Sequence, residues 1–193
     1  MVGILDYGVG NITSLKRALE RIGCGVVIGC SELELTAAKV LFLPGVGSFS
    51  FAMNNLRSSK MDEFIENRFK SKDLPIVGIC LGMQLMFENS EEGLCTGLGL
   101  LQGRVVKFND DECHVGWNKI RVKRQDLFID QSAFYFNHSY RVECPEYLVS
   151  GESFYQGKLI SVVELDAFTG VQFHPEKSQN VGENLLKLLV GVS

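Results

Sequence analysis

The chain reads as an α/β protein: a three-layer fold with a mostly parallel central sheet and an added antiparallel β portion. Two observations predict this. In the first half, short apolar runs alternate with amphipathic helical stretches, the pattern of a parallel sheet covered on both faces. From Gly103 onward, β-rich segments are separated by turn residues. Within 193 residues there is no internal repeat, low-complexity tract or long linker, so residues 1–193 are expected to form one domain.

The elements follow in order. Residues 2–6 are a short apolar strand. Residues 11–22 show helical spacing through Ile12, Leu15, Ala18, Leu19 and Ile22, and Gly23 stops that helix. Residues 25–28 and 39–43 are further strands, the second ending at Pro44-Gly45-Val46-Gly47. Residues 49–69 read as helix in two pieces, broken near Ser58-Ser59. Residues 75–79 are the next strand, and a helical pattern through Leu81, Leu85 and Met86 follows at once. The β-rich half holds strands at 104–108, 118–122, 133–136, 147–154, 158–164 and 169–173, with turns at Asn109-Asp110-Asp111 and Gln156-Gly157. A last helix, 181–190, carries its stripe through Leu185, Leu186, Leu188 and Leu189.

Composition narrows the setting. With 46% hydrophobic and 22% charged residues, the chain has the make-up of an ordinary soluble protein. A formal net charge of −4 gives no reason to expect nucleic acid or an anionic membrane as partner. The first residues lack the basic start and small-residue cleavage site of a signal peptide, and no uncharged apolar run approaches the roughly 20 residues of a membrane span. The six cysteines (Cys24, Cys30, Cys80, Cys95, Cys113, Cys144) are scattered, without a C-x-x-C pair. A disulfide framework or metal site is therefore not expected, no cofactor is implied, and a reducing cytoplasm is the natural compartment.

Sites in parallel α/β sheets lie beyond the carboxyl ends of the strands. Asp6-Tyr7-Gly8, Pro44-Gly45-Val46-Gly47 and Cys80 all fall at such ends. Gly78-Ile79-Cys80-Leu81-Gly82 reads as strand, sharp turn and helix, with a cysteine at the turn and glycines two residues to either side. A Cβ at either glycine would crowd the bend. At a helix N-terminus, free N–H groups and the helix dipole favour thiolate over thiol. Cys80 is thus the candidate nucleophile.

A thiolate nucleophile needs a proton acceptor and a group that orients it. Of the three histidines, His174 sits in Phe173-His174-Pro175-Glu176, with a carboxylate two residues on and a proline stiffening the link. Cys80, His174 and Glu176 form the candidate triad. Acyl transfer also passes through an oxyanion, which needs N–H donors aimed at it. The loop Gly45-Val46-Gly47 and the Leu81 N–H are the candidates. That loop is a poor phosphate cradle, lacking both a Gly-Lys-Ser/Thr ending and G-x-G-x-x-G.

Four segments in this order carry a resemblance: Asp6-Tyr7-Gly8-Val9-Gly10-Asn11, Pro44-Gly45-Val46-Gly47, Gly78-Ile79-Cys80-Leu81-Gly82-Met83-Gln84 and Phe173-His174-Pro175-Glu176-Lys177-Ser178. Over nearly its whole length the chain resembles the class I glutamine amidotransferases, whose core is flavodoxin-like. Gly116-Trp117-Asn118 and Phe136-Asn137-His138-Ser139-Tyr140 narrow the resemblance to the glutaminase subunits of imidazole glycerol phosphate synthases, two-component enzymes of histidine biosynthesis. Val115 and Asn137 depart from that pattern, which usually has Met before Gly-Trp-Asn and a small or apolar residue before the histidine.

The resemblance implies that Cys80 attacks the side-chain amide of glutamine, with His174 as base and then acid and Glu176 orienting it. It implies an oxyanion hole at Gly45 to Gly47, and Gln84 as a residue holding the glutamine. The ammonia then passes to a separate (β/α)8 synthase/cyclase subunit in a heterodimer, which makes imidazole glycerol phosphate and AICAR. Asn11, Trp117, Asn118, Tyr140 and Lys177 match positions facing that partner. The chain itself has no spare domain or nucleotide loop for an acceptor, so a partner is required if the ammonia is to be used. Other readings are a paralogous glutaminase supplying a surface-polysaccharide sugar amidotransferase, a stand-alone hydrolase of γ-glutamyl compounds, and a non-catalytic subunit on the same fold.

Overall fold

Four parallel strands built from the first half of the chain carry the molecule: β1 (Val2–Leu5), β2 (Val26–Gly29), β3 (Leu41–Gly45) and β4 (Ile76–Cys80). The computed structural model describes residues 1–108, 112–123 and 131–192, and the turn expected at Asn109-Asp110-Asp111 lies outside them. The helices between these strands are α1 (Ile12–Arg21), α2 (Glu32–Leu35), α3 (Phe49–Ser58) and α4 (Met61–Ser71). Asn11 caps α1, its side chain accepting the Ser14 N–H at 3.2 Å.

After β4 come the one-turn helix α5 (Leu81–Gln84) and a run of strands. These are β5 (Phe87–Ser90), β6 (Cys95–Thr96), β7 (Leu101–Lys107), β8 (His114–Lys119), β9 (Arg121–Val122), β10 (Ala133–His138) and β11 (Tyr140–Glu143). The hairpin strands β12 (Val149–Phe154) and β13 (Lys158–Leu165) lead to β14 (Phe168–Val171), and α6 (Gln179–Val190) follows.

Among the described residues the main sheet has eight strands in the order β2-β1-β3-β4-β14-β13-β12-β9. Strands β2 through β14 in that order run parallel, and β13, β12 and β9 add antiparallel neighbours. The expected antiparallel portion is therefore partly an extension of the main sheet. Its remainder is the β8–β10 ribbon and a four-stranded sheet, β11-β7-β5-β6, in which β5 and β7 run parallel.

Strand alternation sorts the core into two layers. Leu41 and Leu43 of β3 pack toward Phe49, Met53 and Ile65 of α3 and α4. Phe42, between them, faces the opposite layer with Leu15 and Leu19 of α1 and Leu185 and Leu186 of α6. This is the three-layer arrangement the sequence pattern predicts.

Some boundaries differ. The helix expected through Leu85 and Met86 stops at Gln84. The Leu85 carbonyl accepts from Leu98 N–H and that of Met86 from Leu100 and Leu101 N–H, which draws the chain into β5. The strand expected at 118–122 is split at Ile120 between β8 and β9, and that expected at 147–154 begins at Val149 after a 3-10 turn, Glu146–Leu148. Strands β5, β6 and β11 and the short helix α2 carry too few residues for a periodic signal.

Candidate active site

Cys80 ends β4 with φ 53° and ψ −109°, a backbone conformation that strains any residue with a Cβ, by about 1–3 kcal/mol. The bend is possible because its flanks have no side chains. A Cβ on Gly82 would stand 1.8 Å from the Leu43 carbonyl oxygen, and one on Gly78 would stand 2.8 Å from the Met83 nitrogen. Strand β3 thus passes directly against the turn, carrying Gly45 up to it. A Cβ there would lie 2.8 Å from the Gly82 nitrogen and 2.9 Å from the Tyr7 hydroxyl. Tyr7 donates to the Pro44 carbonyl at 2.6 Å, and burial raises the pKa of its phenol far above the usual range.

His174 follows β14, on the strand next to β4. Its N–H donates to the Tyr135 carbonyl at 2.8 Å, and its carbonyl accepts from the Ser178 hydroxyl at 2.6 Å, so the backbone is held on both sides. Nδ1 and Glu176 Oε1 are 2.8 Å apart, with the two side chains 1% and 4% exposed. Nε2 is buried without a hydrogen-bond partner. Burial pulls the imidazole down, but the nearby sulfur of Cys80 and the Glu176 carboxylate outweigh it and push its pKa up to about 10. Two segments remote in sequence thus bring a thiol, an imidazole and a carboxylate together, an arrangement suited to nucleophilic acyl chemistry.

A cavity of about 340 Å³ opens over the sulfur, lined by Val46, Gly47, Cys80, Leu81, Gln84, Glu92 and the run 137–140. Gly47 has φ +97°, a value that a residue with a Cβ rarely adopts. Gln84 is buried, and its Nε2 donates to the Tyr140 carbonyl (3.1 Å) and to Gln172 Oε1 (3.0 Å). Gln172 Nε2 in turn lies 3.6 Å from Cys80 Sγ, and the Asn137 carbonyl lies 3.9 Å from the same sulfur.

A family model for class-I glutamine amidotransferases matches residues 3–189. The chain belongs to that family. Among curated relatives of this amidotransferase is the imidazole glycerol phosphate synthase subunit HisH of Geobacillus thermodenitrificans (strain NG80-2), 44% identical over 205 residues, covering 100% of this chain and 96% of the relative. Subunit HisH 1 of Campylobacter jejuni subsp. jejuni (serotype O:23/36, strain 81-176) is 41% identical, covering 97% and 98%. In shape the amidotransferase is similar to a chain of PurLQS from Thermotoga maritima, with a TM-score of 0.78, 18% identity and coverage of 98% and 97%. At that identity the likeness speaks for the fold.

The residues expected at a partner face are dispersed in this amidotransferase. Trp117 on β8 is 50% exposed and meets Tyr135 edge-on at 6.1 Å, while Lys177 Nζ lies 5.9 Å from the same tyrosine ring. These three form one surface cluster. Asn118 donates to the Phe154 carbonyl at 3.0 Å, Asn11 serves as the cap of α1, and Tyr140 lines the cavity.

Sequence reasoning did not single out Gln172, Glu92, His114 or His138. Gln172 had a signal: two residues before His174 in an extended segment, it points to the same side. Glu92, whose carboxylate accepts the Phe49 N–H at 2.9 Å, had none.

Proposed function

We propose that the protein is the glutaminase subunit of an imidazole glycerol phosphate synthase, with residues 1–193 acting as one amidotransferase domain in the cytoplasm. The observation that carries the chemistry is the His174–Glu176 pair, buried close to Cys80, which itself lines a cavity of amino-acid size. The full-length likeness to HisH subunits supports the pathway.

In this reading His174 Nε2 already holds the proton of the Cys80 thiol, as imidazolium, and Cys80 Sγ attacks the γ-carbonyl carbon of glutamine as the thiolate. The oxyanion is met by the Leu81 N–H and the Gly45-Val46-Gly47 loop. Collapse breaks the C–N bond, and His174 gives its proton to the departing nitrogen, leaving a γ-glutamyl thioester and ammonia. Water, deprotonated by His174, then attacks the thioester and releases glutamate and the free thiol. Glu176 holds the Nδ1–H tautomer and stabilises the imidazolium in both halves. Gln84 orients the substrate, its amide nitrogen already committed to Tyr140 and Gln172.

The ammonia passes to a (β/α)8 synthase subunit. The cluster of half-exposed Trp117 with the partly buried Tyr135 and Lys177 supports a docking face, since aromatic side chains are typical anchors. Among the described residues no helix is long and apolar enough to cross a membrane.

The test is glutamate release from glutamine by the purified protein, alone and with a histidine-pathway synthase subunit carrying its nucleotide ligand. Strong stimulation supports chemistry and pathway together. Labelling of Cys80 by a glutamine analogue without any stimulation would retain the chemistry and reject the partner.

A further inference from the structure

Two buried histidines stand outside the triad. His114 and His138 face each other as the end pair of the β8–β10 ladder, 4% and 7% exposed, with ring centroids 5.2 Å apart. His114 stacks on Phe136 at 4.5 Å and on Tyr155 at 4.2 Å. An aromatic hydrocarbon would suit that slot, and burying ring nitrogens costs free energy unless they are bonded. Both rings are fully used.

The geometry leaves one assignment of protons. The Tyr140 carbonyl, 2.7 Å from His138 Nδ1, can only accept, so Nδ1 carries hydrogen. In a neutral ring Nε2 then accepts, and the group facing it at 3.3 Å is His114 Nδ1, which must donate. His114 Nε2 is left to accept from Asn118 Nδ2, also at 3.3 Å. Burial keeps both rings neutral at pH 7, lowering His114 to about 4 and His138 to about 3. The chain does not stop at Tyr140. The same carbonyl accepts from Gln84 Nε2, Gln84 donates to Gln172, and Gln172 Nε2 reaches Cys80 Sγ.

We propose that His114 and His138 are positioning residues: locked as neutral Nδ1–H tautomers, they hold the Tyr140 carbonyl, and through it Gln84 and Gln172, in register with Cys80. This rests on the glutaminase reading above. His138 also borders the cavity, so the chain joins the substrate wall to the nucleophile. A purely structural pair would have no reason to end at either.

The test uses the complex with its synthase and three variants, with rates expressed per site titrated by a glutamine-like electrophile. His138→Asn retains an N–H at the position of Nδ1, whereas His138→Gln places its amide near Nε2 and removes that donor. His114→Phe keeps the stack on Phe136 and Tyr155 but donates nothing. His138→Gln is expected to raise KM for glutamine about tenfold, the effect of one buried hydrogen bond, with kcat changed less than about threefold. His138→Asn should return KM to within about threefold of the parent, and His114→Phe should fall between. Unchanged KM per titrated site in His138→Gln, or in His114→Phe if the first fails to fold, would overturn the proposal. So would a His138→Asn variant as impaired as His138→Gln. Failure of the parent protein to label at Cys80 would instead reject the glutaminase reading itself.

Discussion

Glu176 Oε1 lies 2.8 Å from His174 Nδ1, and both side chains are almost wholly buried. The pairing settles which nitrogen is free: Nε2, buried and without a hydrogen-bond partner of its own. Glu176→Gln keeps the size but loses the charge that stabilises an imidazolium. We expect kcat for glutamine hydrolysis to fall about 10- to 100-fold, less than for loss of the nucleophile, as checked by steady-state kinetics.

The same pairing sets a pH limb. In the proposed mechanism a protonated His174 releases the ammonia, and burial pulls its imidazole down while Cys80 and Glu176 push it up to about 10. Activity should therefore fall as pH rises through about 10. In Glu176→Gln, with one of the raising groups removed, that limb should move to lower pH. An unmoved limb in the kcat/KM profile would remove Glu176 from the mechanism.

Cys80→Ala should abolish hydrolysis while leaving the fold intact, because the side chain is small. The backbone at φ 53° and ψ −109° makes a second outcome measurable. Cys80→Gly, equally inactive, should be more stable than Cys80→Ala by about 1–2 kcal/mol, since glycine carries less strain there. Thermal or urea unfolding of the two dead variants gives the comparison.

Gly82→Ala should be among the most damaging single changes. Its Cβ would stand 1.8 Å from the Leu43 carbonyl oxygen, and that neighbour is backbone of a central strand. Loss of about 3 kcal/mol or more, seen as poor soluble yield or a large drop in Tm, is expected.

Trp117→Ala should spare stability and glutamine binding by the isolated subunit, because the residue is half exposed. The expected loss is in stimulation by the synthase. Equal losses with and without that partner would give Trp117 a role in the fold instead.

Acid should destabilise the folded chain in a defined window. His114 and His138 are neutral in the fold, lowered to about 4 and about 3, but take up protons near pH 6.5 when unfolded. Their contribution is complete above about pH 6.5 and is lost as pH falls from there through about 4 and then about 3. Urea midpoints measured across that range should decline, and His114→Phe should flatten the slope.

Much of the site was legible in the chain because its parts are local. The bend at Cys80 needs small residues at fixed offsets, and Gly78 and Gly82 stand there. The carboxylate that holds His174 is two residues away across a proline. Alternating apolar runs and helical stripes were enough for the parallel sheet, since each element announces its own buried face. The four-residue strand β5 was missed because it is too short to show a period, and hydrogen bonds from Leu98, Leu100 and Leu101 override the helical pattern before it.

What the sequence determined by itself was the candidate nucleophile, the candidate base and orienting acid, and the layered architecture: properties of short segments and of periodicity. Tertiary structure alone decided that Tyr140 offers its carbonyl to the cavity wall, that Gln84 meets Gln172, 88 residues away, and that His114 meets His138 across the β8–β10 ladder. Those pairings depend on strand register and on which chain segments are brought alongside one another. A shift of one residue would turn each side chain to the other face, and no local pattern records which register wins.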